Sequence, residues 1–130
     1  IIFFALFFLA FGTYAQDSTK VRPCNQLPIA GADKKAVIDG KIEKLFSDNL
    51  SSDLKKGTHK AVYKLMVDCY GAVSLSTYQS GTFSESSQKL FAELLFKSKW
   101  KAAIHQSVSV TTFVFVTVDI VNGKVAVVVQ

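Results

Sequence analysis

Two histidines, two cysteines, ten acidic residues and a scatter of serines are the groups in this 130-residue chain that could carry chemistry. A zinc centre needs His, Cys or carboxylate ligands at short, fixed spacing, and neither His59 nor His105 has a Glu or Cys at such spacing. No serine stands in a Gly-x-Ser-x-Gly elbow. His59 reads as a loop residue, His105 as part of the turn before a long strand, and Asp68 as a turn former rather than a general base. Cys24 and Cys69 match no redox or zinc motif. In an exported chain they are a candidate disulfide, which would stabilise by about 3–4 kcal/mol in the chain-entropy view; free thiols are the open alternative. These groups point away from catalysis, and no enzyme activity, metal centre or cofactor is expected.

What remains is recognition, and the ends of the chain say where. Ile1–Phe11 is an unbroken apolar run followed by Gly12, Thr13, Tyr14 and Ala15, too short for the ~20 residues of a membrane span but suited to a signal-peptide core. The expectation is a signal peptide over 1–15, cleaved before Gln16, and a periplasmic location; an uncleaved inner-membrane anchor is the alternative. The net charge of +5 comes from lysines scattered among acids, the pattern of a solvated surface rather than of a nucleic-acid stripe. Residues 16–32, with Pro23, Pro28 and Ala30-Gly31, read as an extended tether, and 33–130 as one domain.

That domain reads as α+β: a small antiparallel sheet of three to four strands with two helices on one face, in the order α-β-β-α-β-β. Asp33 caps a first helix to about Asn49, with Val37, Ile38, Ile42, Leu45, Phe46 and Leu50 on its buried face and Gly40 as a weak point. A strand pair from Ala61 to Tyr78 turns at Asp68–Gly71, and Tyr63, Leu65 and Val67 alternate with polar neighbours. Thr82-Phe83-Ser84-Glu85 has the form of a capping box for a second helix reaching about Lys99, with Leu90, Phe91, Leu94 and Leu95 inward. Trp100 reads as the core anchor where that helix ends.

From Ser107 to Val121 one long strand is expected, with Val108, Val110, Val114, Val116, Val118 and Ile120 on one face. Phe113, Phe115, Thr117 and Asp119 lie on the other, a candidate partner-binding edge and face. Asn122-Gly123 is a strong two-residue hairpin signal, and it sets Ile120 against Val125, Val118 against Val127 and Val116 against Val129. Val125, Val127 and Val129 thus read as a strand capping the edge of the long one. Either that cap blocks the edge or it peels away when a partner strand arrives.

The order Phe46-Ser47-Asp48-Asn49-Leu50, Val62 to Val73 with its Asp68-Cys69-Tyr70-Gly71 turn, the second helix, and Lys99-Trp100-Lys101-Ala102-Ala103 resembles the TonB C-terminal domain family over roughly 27–121. Ala102 stands where the family has Pro, Ile104-His105-Gln106 replaces its Asn-Gly turn, and Ser51-Ser52 replaces its Tyr-Pro pair. The resemblance implies a non-enzymatic periplasmic module that grips an extended segment of an outer-membrane receptor by strand addition, serving transport across that membrane. A second reading is a secreted accessory subunit that joins an envelope complex, or closes a homodimer, through the Phe113 and Phe115 face. A pocket between helix and sheet for a small ligand is a third.

Overall fold

A computed structural model describes Leu27–Gln130, and its two longest strands follow the alternation read in the sequence. The element order is β1 (Val37–Asp39), α1 (Ile42–Asp48), β2 (Thr58–Val67), β3 (Val73–Gly81), α2 (Glu85–Phe96), β4 (Lys99–Lys101), β5 (Ala103–His105), β6 (Val108–Val110), β7 (Thr112–Val121) and β8 (Lys124–Val129). The fold is α+β with two helices and antiparallel sheets. One sheet has four strands in the order β3-β2-β7-β8, and β1-β4 and β5-β6 form two-stranded ribbons. The single sheet and the six-element order expected from the sequence are corrected by these ribbons.

β2 and β7 pair over their full lengths, from Thr58 opposite Val121 to Val67 opposite Thr112. Side chains of paired residues leave the sheet on the same side, so Ala61, Tyr63, Leu65 and Val67 join Val114, Val116, Val118 and Ile120 in one buried layer. Both helices supply the facing layer. Phe46 of α1 stacks on Phe91 of α2 at 4.9 Å, and Phe83 meets Phe91 edge-on at 5.1 Å. Tyr63 is fully buried, donates from its hydroxyl to the Gln88 carbonyl at 3.1 Å and lies edge-on to Tyr78. Burial, with Tyr78 beside it, pushes its ionisation well above the ordinary phenol range, so the hydroxyl is a neutral donor.

The first helix is much shorter than the spacing predicts. Gly40 takes φ of +91°, which a right-handed helix cannot contain, and Val37–Asp39 instead pair with Lys99–Lys101, Ile38 opposite Trp100. Capping also shifts by two residues: Ser84, not Thr82, accepts the Ser87 amide at the start of α2. Thr82 is used differently, its hydroxyl accepting from the Lys60 amide. The helix ends at Phe96, so Trp100 lies on β4, buried, with its indole N–H donated to Ser98 Oγ at 2.9 Å.

The long strand is broken in two. Gln106 and Ser107 adopt φ of 51° and 63°, turning β5 back on β6. Val110, Thr111 and Thr112 are then buried in succession, so the alternation slips, and Val108 falls exposed rather than on the valine face. Downstream the reading holds: Asn122 and Gly123, with φ of 48° and 82°, make the hairpin turn. Ile120, Val118 and Val116 face Val125, Val127 and Val129 as the turn requires.

The signal segment, the tether as far as Gln26 and Cys24 lie outside the described residues. Cys69 is disulfide-bonded. The rest of the expected tether packs on the domain, the Ile29 amide donating to the Thr111 carbonyl, and just beyond it Lys34 bridges to Ile104.

Candidate functional site

Hydrogen-bond parity decides which backbone groups of β8 are free. Phe115 and Gln130 exchange both main-chain bonds, at 2.8 and 2.9 Å. In an antiparallel ladder such pairs recur at every second residue, so Lys124, Ala126 and Val128 also point their N–H and C=O groups at β7. Val125, Val127 and Val129 point theirs the other way. Among the described residues β8 has β7 as its only neighbour in the sheet, and none hydrogen-bonds to the main chain of those three valines. Their side chains are half-buried against the core and their backbones form an open edge.

The opposite edge of the sheet is a poorer template. β3 slips register twice against β2, and Ser74 and Gln79 are the extra residues. Such bulges twist an edge and interrupt its donor–acceptor row. β8 runs without a register shift, and Lys124 is its one charged residue.

Phe113, Phe115, Thr117 and Asp119 lie on the face of the sheet turned away from the helices. With Leu75, Val121 and Val128 they form an open surface on which these five apolar side chains keep 41–49 % of their exposure. Lys64 crosses this surface, its ammonium 4.2 Å from the Phe113 ring centroid and 6.0 Å from that of Phe115. Asp119 is opposite Lys60 in the register. The structure therefore separates the two parts of the expected site. The four β7 residues form a face, and their backbones are already paired from Phe115 onward, whereas the free edge belongs to β8.

The remaining candidates are elsewhere. Trp100 is in the core beside Gly71, whose carbonyl accepts from the Trp100 amide at 2.9 Å. Asp68 Oδ1 accepts from the Tyr70 and Ala72 amides, holding the turn. His59 is the second residue of β2 rather than a loop residue and hydrogen-bonds the Lys56 carbonyl through Nε2, and His105 ends β5, just before the turn, 3.6 Å from Asp33. Among the described residues no group of His, Cys, Asp or Glu could hold a metal ion, and no helix is long and apolar enough to cross a membrane.

Sequence reasoning missed the two β3 bulges and the part played by the stretch 28–38, which returns over the start of β7. Ser74 and Gln79 carry no local signal of a bulge. No family model, curated protein or solved structure matches the chain.

Proposed function

We propose that this domain is a non-enzymatic protein-binding module of the periplasm that takes an extended segment of an outer-membrane or other envelope protein as a fifth strand along β8. The observation that carries the reading is the unpaired, unbulged edge of Val125, Val127 and Val129. Each of these residues offers one donor and one acceptor, and main-chain bonds of this kind are worth about 0.5–1.5 kcal/mol each, net. The resemblance to the TonB C-terminal domain supports the same mode of binding and the envelope partner. Docking leaves β8 in place, because peeling it from β7 would break the whole ladder and expose three half-buried valines.

Proline tests the edge selectively. The Val127 N–H is not used within the sheet, so Val127→Pro removes a free donor and puts a ring where a partner strand must lie, while sparing the bonds to β7. Titration with a ten-residue host peptide of alternating Thr and Val, with Glu at both ends, is expected to show affinity at least ~10-fold weaker for Val127→Pro, a loss of about 1.4 kcal/mol. The far-UV circular dichroism is expected to be unchanged. Equal affinity would remove strand addition at β8 from the account. The open Phe113 and Phe115 face favours a second reading, an accessory subunit held in a complex through that surface, and such a complex survives Val127→Pro.

A further inference from the structure

Cys69 lies in the Asp68–Gly71 turn, is half-buried, and is disulfide-bonded. The chain's other cysteine is Cys24. The path of the described residues carries the chain from that cysteine's neighbourhood to the turn. Thr112 is opposite Val67 in the β2–β7 register, so Thr111 continues the pairing direction toward Asp68. The Ile29 amide donates to the Thr111 carbonyl at 2.9 Å, which sets Ile29 near the turn. From Ile29 back to Cys24 is five residues, a span of at most ~18 Å when extended, and a disulfide needs its Cα atoms within about 4.4–6.8 Å. Cys24 therefore has the reach to meet Cys69.

We infer that Cys24 is joined to Cys69, and that the bond fastens residues 27–32 over the start of β7 as a strap that a dithiol releases while the sheet stays folded. The bond forms when the two thiols give up two electrons and two protons to a disulfide-bearing oxidant, which leaves as a dithiol; this is the chemistry of an oxidising compartment. Reduction by a dithiol restores both thiols and cyclises the reductant. The turn keeps its shape in either state, because Asp68 Oδ1 accepts from the Tyr70 and Ala72 amides and the Asp68 main chain is bonded to Gly71 and Ala72. The strap is held more weakly. Among the described residues, the main chain from Leu27 to Ala32 is bonded to the domain at Ile29 alone, and of its side chains Leu27 and Ala30 are exposed while Ile29 and Ala32 are half-buried. Such a segment opens locally at little cost once its far end is free. The opening stops at Asp33: its carboxylate accepts from the Gln106 amide, Lys34 and Ile104 exchange both main-chain bonds, and Ala36 is buried. This device stands independently of strand binding at β8.

Tryptic mapping of the full chain without reductant tests the pairing, since Lys20, Lys34, Lys64 and Lys89 bound the two cysteine peptides, 21–34 and 65–89. These are expected as one linked species, two hydrogens lighter than their sum. Alkylation of either cysteine without reductant, or a link from Cys69 to any cysteine other than Cys24, overturns the pairing and the strap with it. Amide hydrogen exchange of the same chain, with and without dithiothreitol, tests the release. The Ile29 N–H is expected to exchange at least ~10-fold faster after reduction, and equally fast in Cys24→Ser without reductant, while the amides of β2 and β7 stay protected over the same interval. An Ile29 rate that reduction leaves unchanged overturns the strap and reduces the bond to a passive cross-link. Loss of protection in β2 and β7 together with Ile29 overturns it as well, because the bond would then support the whole fold.

Discussion

Phe91→Ala is expected to destabilise the domain by about 3–5 kcal/mol, measured as a shift in the urea midpoint at constant slope. Phe91 is fully buried and is the ring on which the two helices and the approach to α2 converge. It stacks on Phe46 of α1, 26° from parallel, and takes the edge of Phe83 at 67°. Truncation to Ala removes the transfer free energy of the ring and leaves a void between elements that cannot close in, because α2 is also tied to the sheet by the Tyr63 hydrogen bond to Gln88. Domains of this size have total stabilities of only about 5–15 kcal/mol, so the variant would sit near the unfolding threshold. Phe91→Leu, which keeps most of the volume, is expected to lose less than half as much.

Gly71→Ala is the second large effect, and its cause is backbone rather than core. Gly71 has φ of +83°, and an added Cβ would lie 2.0 Å from the Trp100 carbonyl oxygen and 3.0 Å from its carbon. Neither side can retreat. The Gly71 carbonyl accepts the Trp100 amide, the Gly71 amide donates to the Asp68 carbonyl at 3.0 Å, and Asp68 Oδ1 grips the amides on both sides. Trp100 is held by its own burial and by pairing with Ile38. The expected loss is on the order of 3 kcal/mol or more, roughly 10 °C or more in melting temperature by calorimetry. Gly57→Ala separates the two contributions, since Gly57 has φ of +77° but nothing within 4 Å of an added Cβ. It is expected to lose about 1–2 kcal/mol from the left-handed conformation alone.

These sites also show which parts of the fold can be read from residues in order. The β2 alternation and the Asn122-Gly123 turn are local: side-chain period and turn chemistry fix them without reference to the rest of the chain, and the register from Val116 to Val129 follows. Val37 and Ile38 are different. Their spacing to Ile42 and Phe46 suits a helix face, and what makes them a strand is pairing with Lys99–Lys101, distant in sequence, once Gly40 has turned the chain. The break at Val110–Thr112 is hidden for a similar reason, because a run of β-branched residues carries no mark of where the chain changes sheets.

The candidate site divides in the same way. Val125, Val127 and Val129 were legible as a cap on β7, since an apolar strand after Asn-Gly has no other place to go. That their free backbone groups make an edge of their own depends on hydrogen-bond parity, which the Phe115 to Gln130 pair sets. Phe113 and Phe115 were legible as an aromatic pair on one face, but the return of Ile29 to Thr111 at the start of β7 is a contact between residues distant in sequence that no local pattern marks.

The central claim is that a partner's main chain adds to β8 at Val125, Val127 and Val129. Residue-resolved amide hydrogen exchange of β8, with and without the Thr-Val host peptide, tests it most directly, because strand addition leaves a period of two. The account predicts that the amides of Val125, Val127 and Val129 become protected on binding while those of Lys124, Ala126 and Val128, already bonded to β7, change little. Protection confined to β3, or exchange at all six β8 amides that speeds up as the strand is displaced, would contradict it.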